Sequence, residues 1–172
     1  MIEENDLIAG CQRNEMQARK ELYERYAGTM LSLCVRYTGD RDVAKDILQD
    51  SFFKVFTKIG DYSGKGSFEG WMKRIFINTA LKHLKNKRFL PIINKYEDEI
   101  EDTDLSAFEK LSADDLHNCI AELPDGFRTV FNLYAVEGYS HAEIAKMLNI
   151  KEVTSRTQFM RARKMLKEKI GD

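Results

Sequence analysis

Residues 137–166 read EGYSHAEIAKMLNIKEVTSRTQFMRARKML, and they organise the rest of the chain. Ser140 stands three residues before Glu143, the spacing of a capping box, so a helix is predicted to start there. Ile144, Ala145 and Leu148 share one face at helical spacing. Asn149 falls where the chain must turn, and asparagine tolerates the left-handed backbone better than most residues. A second helix is predicted from about Lys151. Phe159, Ala162 and Leu166 form its apolar stripe, and Arg156, Thr157, Met160, Arg161 and Lys164 occupy the other side. This is the layout of a helix-turn-helix whose second helix enters a DNA major groove. A helical hairpin with a solvated basic face has the same pattern, so this stretch alone leaves both readings open.

Upstream of it, a helix from about Ala113 carries Leu116, Ile120 and Leu123 on one stripe. Pro124 ends that helix and opens the next, because proline fits a first helical turn and not an interior. The next helix is expected to bury Phe127, Val130, Phe131 and Tyr134 and to stop at Gly138. Before these helices the composition flips. Glu97, Asp98, Glu99, Glu101, Asp102, Asp104 and Glu109 form an acidic run. A block of like charge repels itself and stays extended, so residues 89–112 are predicted to link two helical domains, 1–88 and 113–172. The run is read as a solvated tether or, more sharply, as an imitation of nucleic acid in a basic channel of a partner.

The N-terminal domain reads as four helices. Asn5 or Asp6 is expected to cap the first, and the second runs from about Glu15 to Thr38 with Gly39 ending it. Asp40 caps a third over Arg41–Ile59, closed by Gly60. Its interior face holds Ala44, Ile47, Leu48, Ser51, Phe52, Val55, Phe56 and Ile59. Asp42, Asp46, Gln49, Asp50 and Phe53 are left on a narrow outer strip. After the turn-rich loop 61–66, Ser67 is expected to cap a fourth helix running to about Arg88. Phe68, Trp71, Met72, Ile75, Phe76 and Thr79 form its apolar half. Arg74, Asn78, Lys82, Lys85 and Arg88 recur on the opposite half, with Lys73, His83 and Lys87 beside them. A water-facing amphipathic helix is the plain reading. A cationic strip almost free of acids, beside aromatics and a glycine-rich loop, also suits a nucleic-acid strand.

The bulk numbers limit the function. The 172 residues hold two prolines, ten glycines, and 27 Lys+Arg against 28 Asp+Glu, for a net charge of −1. So few helix breakers suit an all-α protein. A free-standing DNA-binding protein is usually basic, so here the cations must be clustered to matter. No apolar run is long enough to span a membrane, and MIEENDLIAG lacks the pattern of a signal peptide, so a cytoplasmic protein is expected. Cys11, Cys34 and Cys119 lack metal spacing and are expected to pack as small apolar residues. No phosphate-binding loop, metal cluster or nucleophile motif is present, and Gly64-Lys65-Gly66 is too short for a Walker loop. Asp46 and Asp50 lie four apart but project from a convex face. Binding without covalent chemistry, and without a cofactor, is the expectation.

Taken in order, the motifs resemble the bacterial sigma factors of the compact, two-domain extracytoplasmic-function group, over about Asp6 to Ile170. Asp46-Ile-Leu-Gln-Asp50, followed by Ser-Phe-Phe-Lys-Val-Phe56, resembles the family's polymerase-binding segment. Gly66-Ser-Phe-Glu-Gly-Trp-Met-Lys-Arg-Ile-Phe-Ile-Asn78 resembles its promoter-melting segment, and Leu123-Pro124 through Arg161-Ala-Arg163 its C-terminal DNA-reading domain. The resemblance implies that Asp46, Gln49, Asp50 and Phe53 contact the clamp helices of the polymerase β′ subunit. It implies that Arg74, Asn78, Lys82 and Lys85 face the −10 element. Tyr62 and Ser63, in the loop 61–67, would help hold a base turned out of the strand, which costs a few kcal/mol of stacking. It places Ser155, Arg156, Thr157, Met160, Arg161 and Lys164 at the −35 major groove, and the C-terminal domain on the β flap. An anti-sigma protein is a further partner expected from the family. Val153 and Asn149 stand where the family commonly has glycine, Ser155 where it is commonly apolar, and Gln158 where it is commonly basic. A conventional helix-turn-helix regulator is the other class weighed. It should dimerise on a palindrome, yet no sustained heptad seam is present and the Asp46/Gln49/Asp50 strip would have no role.

Overall fold

The computed structural model of the chain describes residues 3–86 and 118–170. The predicted linker, Arg88 and Leu116 lie outside these. All regular structure among the described residues is helical. The chain divides after His83 into two compact units.

In the first unit, α1 spans Glu4–Gln12 and α2 spans Met16–Thr38. Helix α1 starts ahead of the expected Asn5/Asp6 cap; its N-cap is Glu3, and no side chain caps it. Gly10 lets α1 approach α2 closely, since a Cβ there would lie 2.7 Å from the Cβ of Ala18. Helix α2 buries Ala18, Leu22, Tyr26, Met30, Leu33 and Tyr37. It ends at Gly39, whose φ of 66° is the left-handed conformation that glycine adopts without penalty. Asp40 then caps α3, Arg41–Lys58, its carboxylate accepting from the amides of Asp42 and Val43. Such a cap contributes roughly 1 kcal/mol. Gly60 does not close α3. The chain tightens instead into a 3-10 turn over Ile59–Asp61, a common way for a helix end to satisfy its last carbonyls.

Helix α4, Phe68–Asn86, follows the loop. Ser67 caps it, its hydroxyl accepting from the Gly70 amide at 3.1 Å. Phe68, Met72, Phe76, Thr79 and Ala80 face the core. The Phe52 and Phe76 rings meet edge to face with centroids 5.2 Å apart, a favoured aromatic geometry. Lys54 of α3 donates to the Thr79 hydroxyl of α4 at 3.0 Å.

In the second unit, residues 118–121 are helical, and Pro124 is the N-cap of α5, Asp125–Phe131. The helix widens into a π turn over Asn132–Val136, and Gly138 with φ 78° redirects the chain. Helix α6, His141–Leu148, has the full Ser140–Glu143 capping box and ends at Asn149 with φ 56° and ψ 50°. Helix α7 spans Glu152–Ile170. Ile120, Leu123, Val130, Ile144, Ala162 and Leu166 are in this unit's core.

Tyr134 departs from the sequence reading. It was expected among the buried residues of α5, yet it is 40% exposed. The wider π turn keeps Leu133 buried and carries Tyr134 off the stripe that Phe127, Val130 and Phe131 define. Among the described residues, no helix is long and apolar enough to cross a membrane.

Candidate nucleic-acid interface

Three surfaces collect the residues singled out by sequence. On α3, Asp46, Gln49, Asp50 and Phe53 are all exposed. Their spacing of three, four and seven residues places them on one strip. Phe53 is 71% exposed, so its ring lies open beside Asp46, Gln49 and Asp50. Asp42, further along the strip, pairs with Lys45 at 2.9 Å. Asp46 and Asp50 have no such partner among the described residues.

On α4, Arg74, Asn78, Lys82 and Lys85 are exposed. Glu69 is the only acid of this helix, and it pairs with Lys73 at 2.9 Å. It therefore leaves the charge of Arg74 and Lys82 uncompensated within the helix. The loop before α4 is a closed turn. The Tyr62 hydroxyl donates to the Gly66 carbonyl at 2.8 Å, and Gly64 and Gly66 have φ of 74° and 79°. The Tyr62 ring lies 5.2 Å from Phe68 and 5.6 Å from Trp71, and Phe68 stacks on Trp71 at 5.6 Å. Tyr62 and Trp71 are half-buried and Ser63 is exposed, so an aromatic floor underlies a rim of small residues. Such a surface can stack a base while nearby cations hold phosphates.

On α7, Arg156 and Lys164 are exposed, and Thr157, Met160 and Arg161 are partly exposed. Arg156 pairs with Glu152 one turn earlier at 2.6 Å, which steadies its stem. The Thr157 hydroxyl donates to the Val153 carbonyl at 2.9 Å. Val153 is 63% exposed.

Ser155 is not part of this face. It is fully buried, and its Oγ lies 2.9 Å from Nδ1 of His141. A side chain turned into the core and hydrogen-bonded there cannot touch a base edge, so the sequence assignment of Ser155 to DNA is corrected. Gln158 also faces inward at 3% exposure.

Residues 22–89 match the family Sigma-70 region 2, and residues 113–166 match Sigma-70, region 4. The chain belongs to the sigma-70 family. It is therefore a promoter-directing initiation factor of RNA polymerase. Among curated relatives, the RNA polymerase sigma-H factor of Pseudomonas aeruginosa is 28% identical over 177 residues, covering 95% of this chain and 92% of that protein. The ECF RNA polymerase sigma-E factor of Haemophilus influenzae is 28% identical over 181 residues, covering 95% and 93%. Among solved structures, the sigma factor RpoE of Bartonella quintana, in complex with the anti-sigma factor NepR, superposes with a TM-score of 0.53 at 16% identity. The match covers 87% of this chain and 94% of that one, and at this identity it speaks for the fold alone.

Two features of this sigma factor were not singled out by sequence. One is Arg128, only 4% exposed. Its guanidinium donates to the carbonyls of Ala121 at 2.9 Å and Leu123 at 2.8 Å and pairs with Asp125. The other is His141, the first residue of α6. Burial, with Arg156 nearby, lowers its pKa below the ordinary 6.5, against a smaller opposing pull from Glu152. The Arg128 position had a readable signal, since an arginine three residues after Asp125 can reach back past a helix start. The His141 partner lies fourteen residues away and had none.

Proposed function

We propose that the exposed surfaces divide the work of initiation between them. The α3 strip of Asp46, Gln49, Asp50 and Phe53 docks on the β′ clamp helices of core polymerase. The α4 strip of Arg74, Asn78, Lys82 and Lys85 lies along the −10 element. The loop with Tyr62 and Ser63 receives a base extruded from the non-template strand, and the aromatic floor offsets part of the lost stacking. Arg156, Thr157, Met160, Arg161 and Lys164 enter the −35 major groove, where Arg161 can bind a guanine edge. In this reading residues 1–88 are the polymerase-binding and melting domain, 113–172 the −35 and flap-binding domain, and 89–112 the acidic tether.

The observation that carries the reading is the separation of charge within the first unit. Asp46 and Asp50, without an ion-pair partner among the described residues, lie beside a bare phenylalanine on α3, and Arg74 and Lys82, which no acid of their own helix meets, lie on α4. A net charge of −1 gives weak non-specific affinity for DNA, so the factor relies on polymerase to hold a promoter. It acts by binding and positioning, in the cytoplasm where polymerase works. The complex of RpoE with NepR supports an anti-sigma protein as a further class of partner.

Run-off transcription with purified bacterial core polymerase tests this. Initiation on promoter templates should depend on adding the chain, and the isolated chain should bind duplex promoter poorly. Tight, sequence-specific binding without polymerase, or indifference to polymerase, overturns the assignment.

A further inference from the structure

The pair His141–Ser155 joins the two helices of the DNA-reading motif through a buried polar contact. His141, the first residue of α6, is 7% exposed. Its ring stacks on Tyr134 of the π turn with centroids 4.2 Å apart and planes 11° from parallel. It meets Phe159 of α7 at 5.8 Å, nearly edge-on. Tyr134 and Phe159 touch each other at 4.6 Å. The imidazole is thus held by aromatics from two other elements while Nδ1 engages Ser155.

Apolar packing is non-directional and lets a helix roll about its own axis. A hydrogen bond is directional and weakens steeply off line. Ser155 precedes Arg156 and Thr157, which project about 100° and 200° further round α7. With side chains about 5–6 Å from the axis, a roll of about 20° moves their tips by about 2 Å. Bidentate readout of a base edge does not survive a displacement of that size.

We propose that His141 is a positioning residue for −35 recognition: through Ser155 it fixes the roll of α7 and so the register of Arg156, Thr157, Met160 and Arg161 on the bases. This rests on the −35 reading given above. The neutral imidazole is the positioning form. The charged groups that face it are Arg156 and Glu152 of α7, and Tyr134 is the titratable group stacked on it. A proton on the ring places a second cation beside Arg156 at a site where burial already disfavours charge.

The test uses the full chain with core polymerase, on one promoter with its −35 element intact and one with that element scrambled. Ser155→Ala and His141→Phe should each lower output from the intact promoter about fivefold, the worth of one net hydrogen bond. The double variant should fall no further than the worse single, because both remove the same contact. Output from the scrambled promoter should not change, which also reports that the variants fold and bind polymerase. His141→Asn, which keeps a polar nitrogen near the place of Nδ1, should recover part of the loss. Wild-type discrimination between the two promoters should decline as pH falls through the lowered pKa of His141, which lies below the ordinary 6.5, and His141→Phe should abolish that decline. Equal losses on both promoters, additive single effects or unchanged discrimination overturn the positioning role alone. A wild type that ignores the −35 element overturns the −35 reading and this role with it.

Discussion

Arg128 donates a 2.8 Å hydrogen bond from Nη1 to the backbone carbonyl of Leu123, although the arginine is almost completely buried. The same nitrogen reaches the Ala121 carbonyl, so one cation satisfies acceptors left over where the helix at 118–121 ends. Those carbonyls have no onward helical partner. A guanidinium suits the task because its donors are fixed in a planar fork.

Arg128→Met should therefore destabilise the second unit by about 3 kcal/mol, because it strands buried acceptors. Urea unfolding followed by tryptophan fluorescence and circular dichroism checks this. Trp71, the single tryptophan, reports on the first unit, and its transition should stay put while the helical signal of the second unit melts earlier. A joint shift of both would mean that the units do not unfold independently.

His141 makes the second unit sensitive to acid. Its pKa is held below 6.5, mainly by burial and then by Arg156. Between that depressed value and 6.5, the unfolded chain binds a proton that the folded chain refuses, so stability rises with pH across this window and falls as the medium is acidified. Thermal melting from neutral pH downward should show the loss starting near 6.5, and His141→Phe should remove that part of the slope. A slope that survives the substitution would assign it to carboxylates instead.

Asp46→Arg with Asp50→Arg should abolish association with core polymerase while the helical signal is retained. Both side chains are exposed, so reversing their charge removes no packing. Pull-down with core enzyme, alongside a melting curve, separates loss of binding from loss of fold. Normal polymerase binding by this variant would remove α3 as the docking strip.

Arg161→Ala should cost about 1–3 kcal/mol at a single position of the −35 element. Competition among promoters that differ at one base pair measures it. A uniform loss across all sequences would make Arg161 a phosphate contact.

The caps were legible in the sequence because their chemistry is local. Asp40, Ser67 and Ser140 each accept from an amide two or three residues on, and Gly39 and Asn149 supply the left-handed residue that ends a helix. The exposed strips of α3 and α4 were legible too, since helical spacing alone separates their wet and dry faces. The misreadings arose where a distant partner or a change of helix pitch decided the outcome. Ser155 is polar and was read outward, but His141 satisfies its hydroxyl inside. Tyr134 follows an apolar stripe in sequence, but the π turn breaks the 3.6-residue repeat. Gly60 resembled a helix stop, yet the chain ends α3 by tightening into a 3-10 turn.

The bare ring of Phe53 has a consequence for how α3 can vary. At 71% exposure, it gives the fold almost nothing, and exchanging it for a hydrophilic residue should leave the melting temperature unmoved and make the free chain more soluble. In the docking role proposed for α3, that ring is area available to a partner and not to the core.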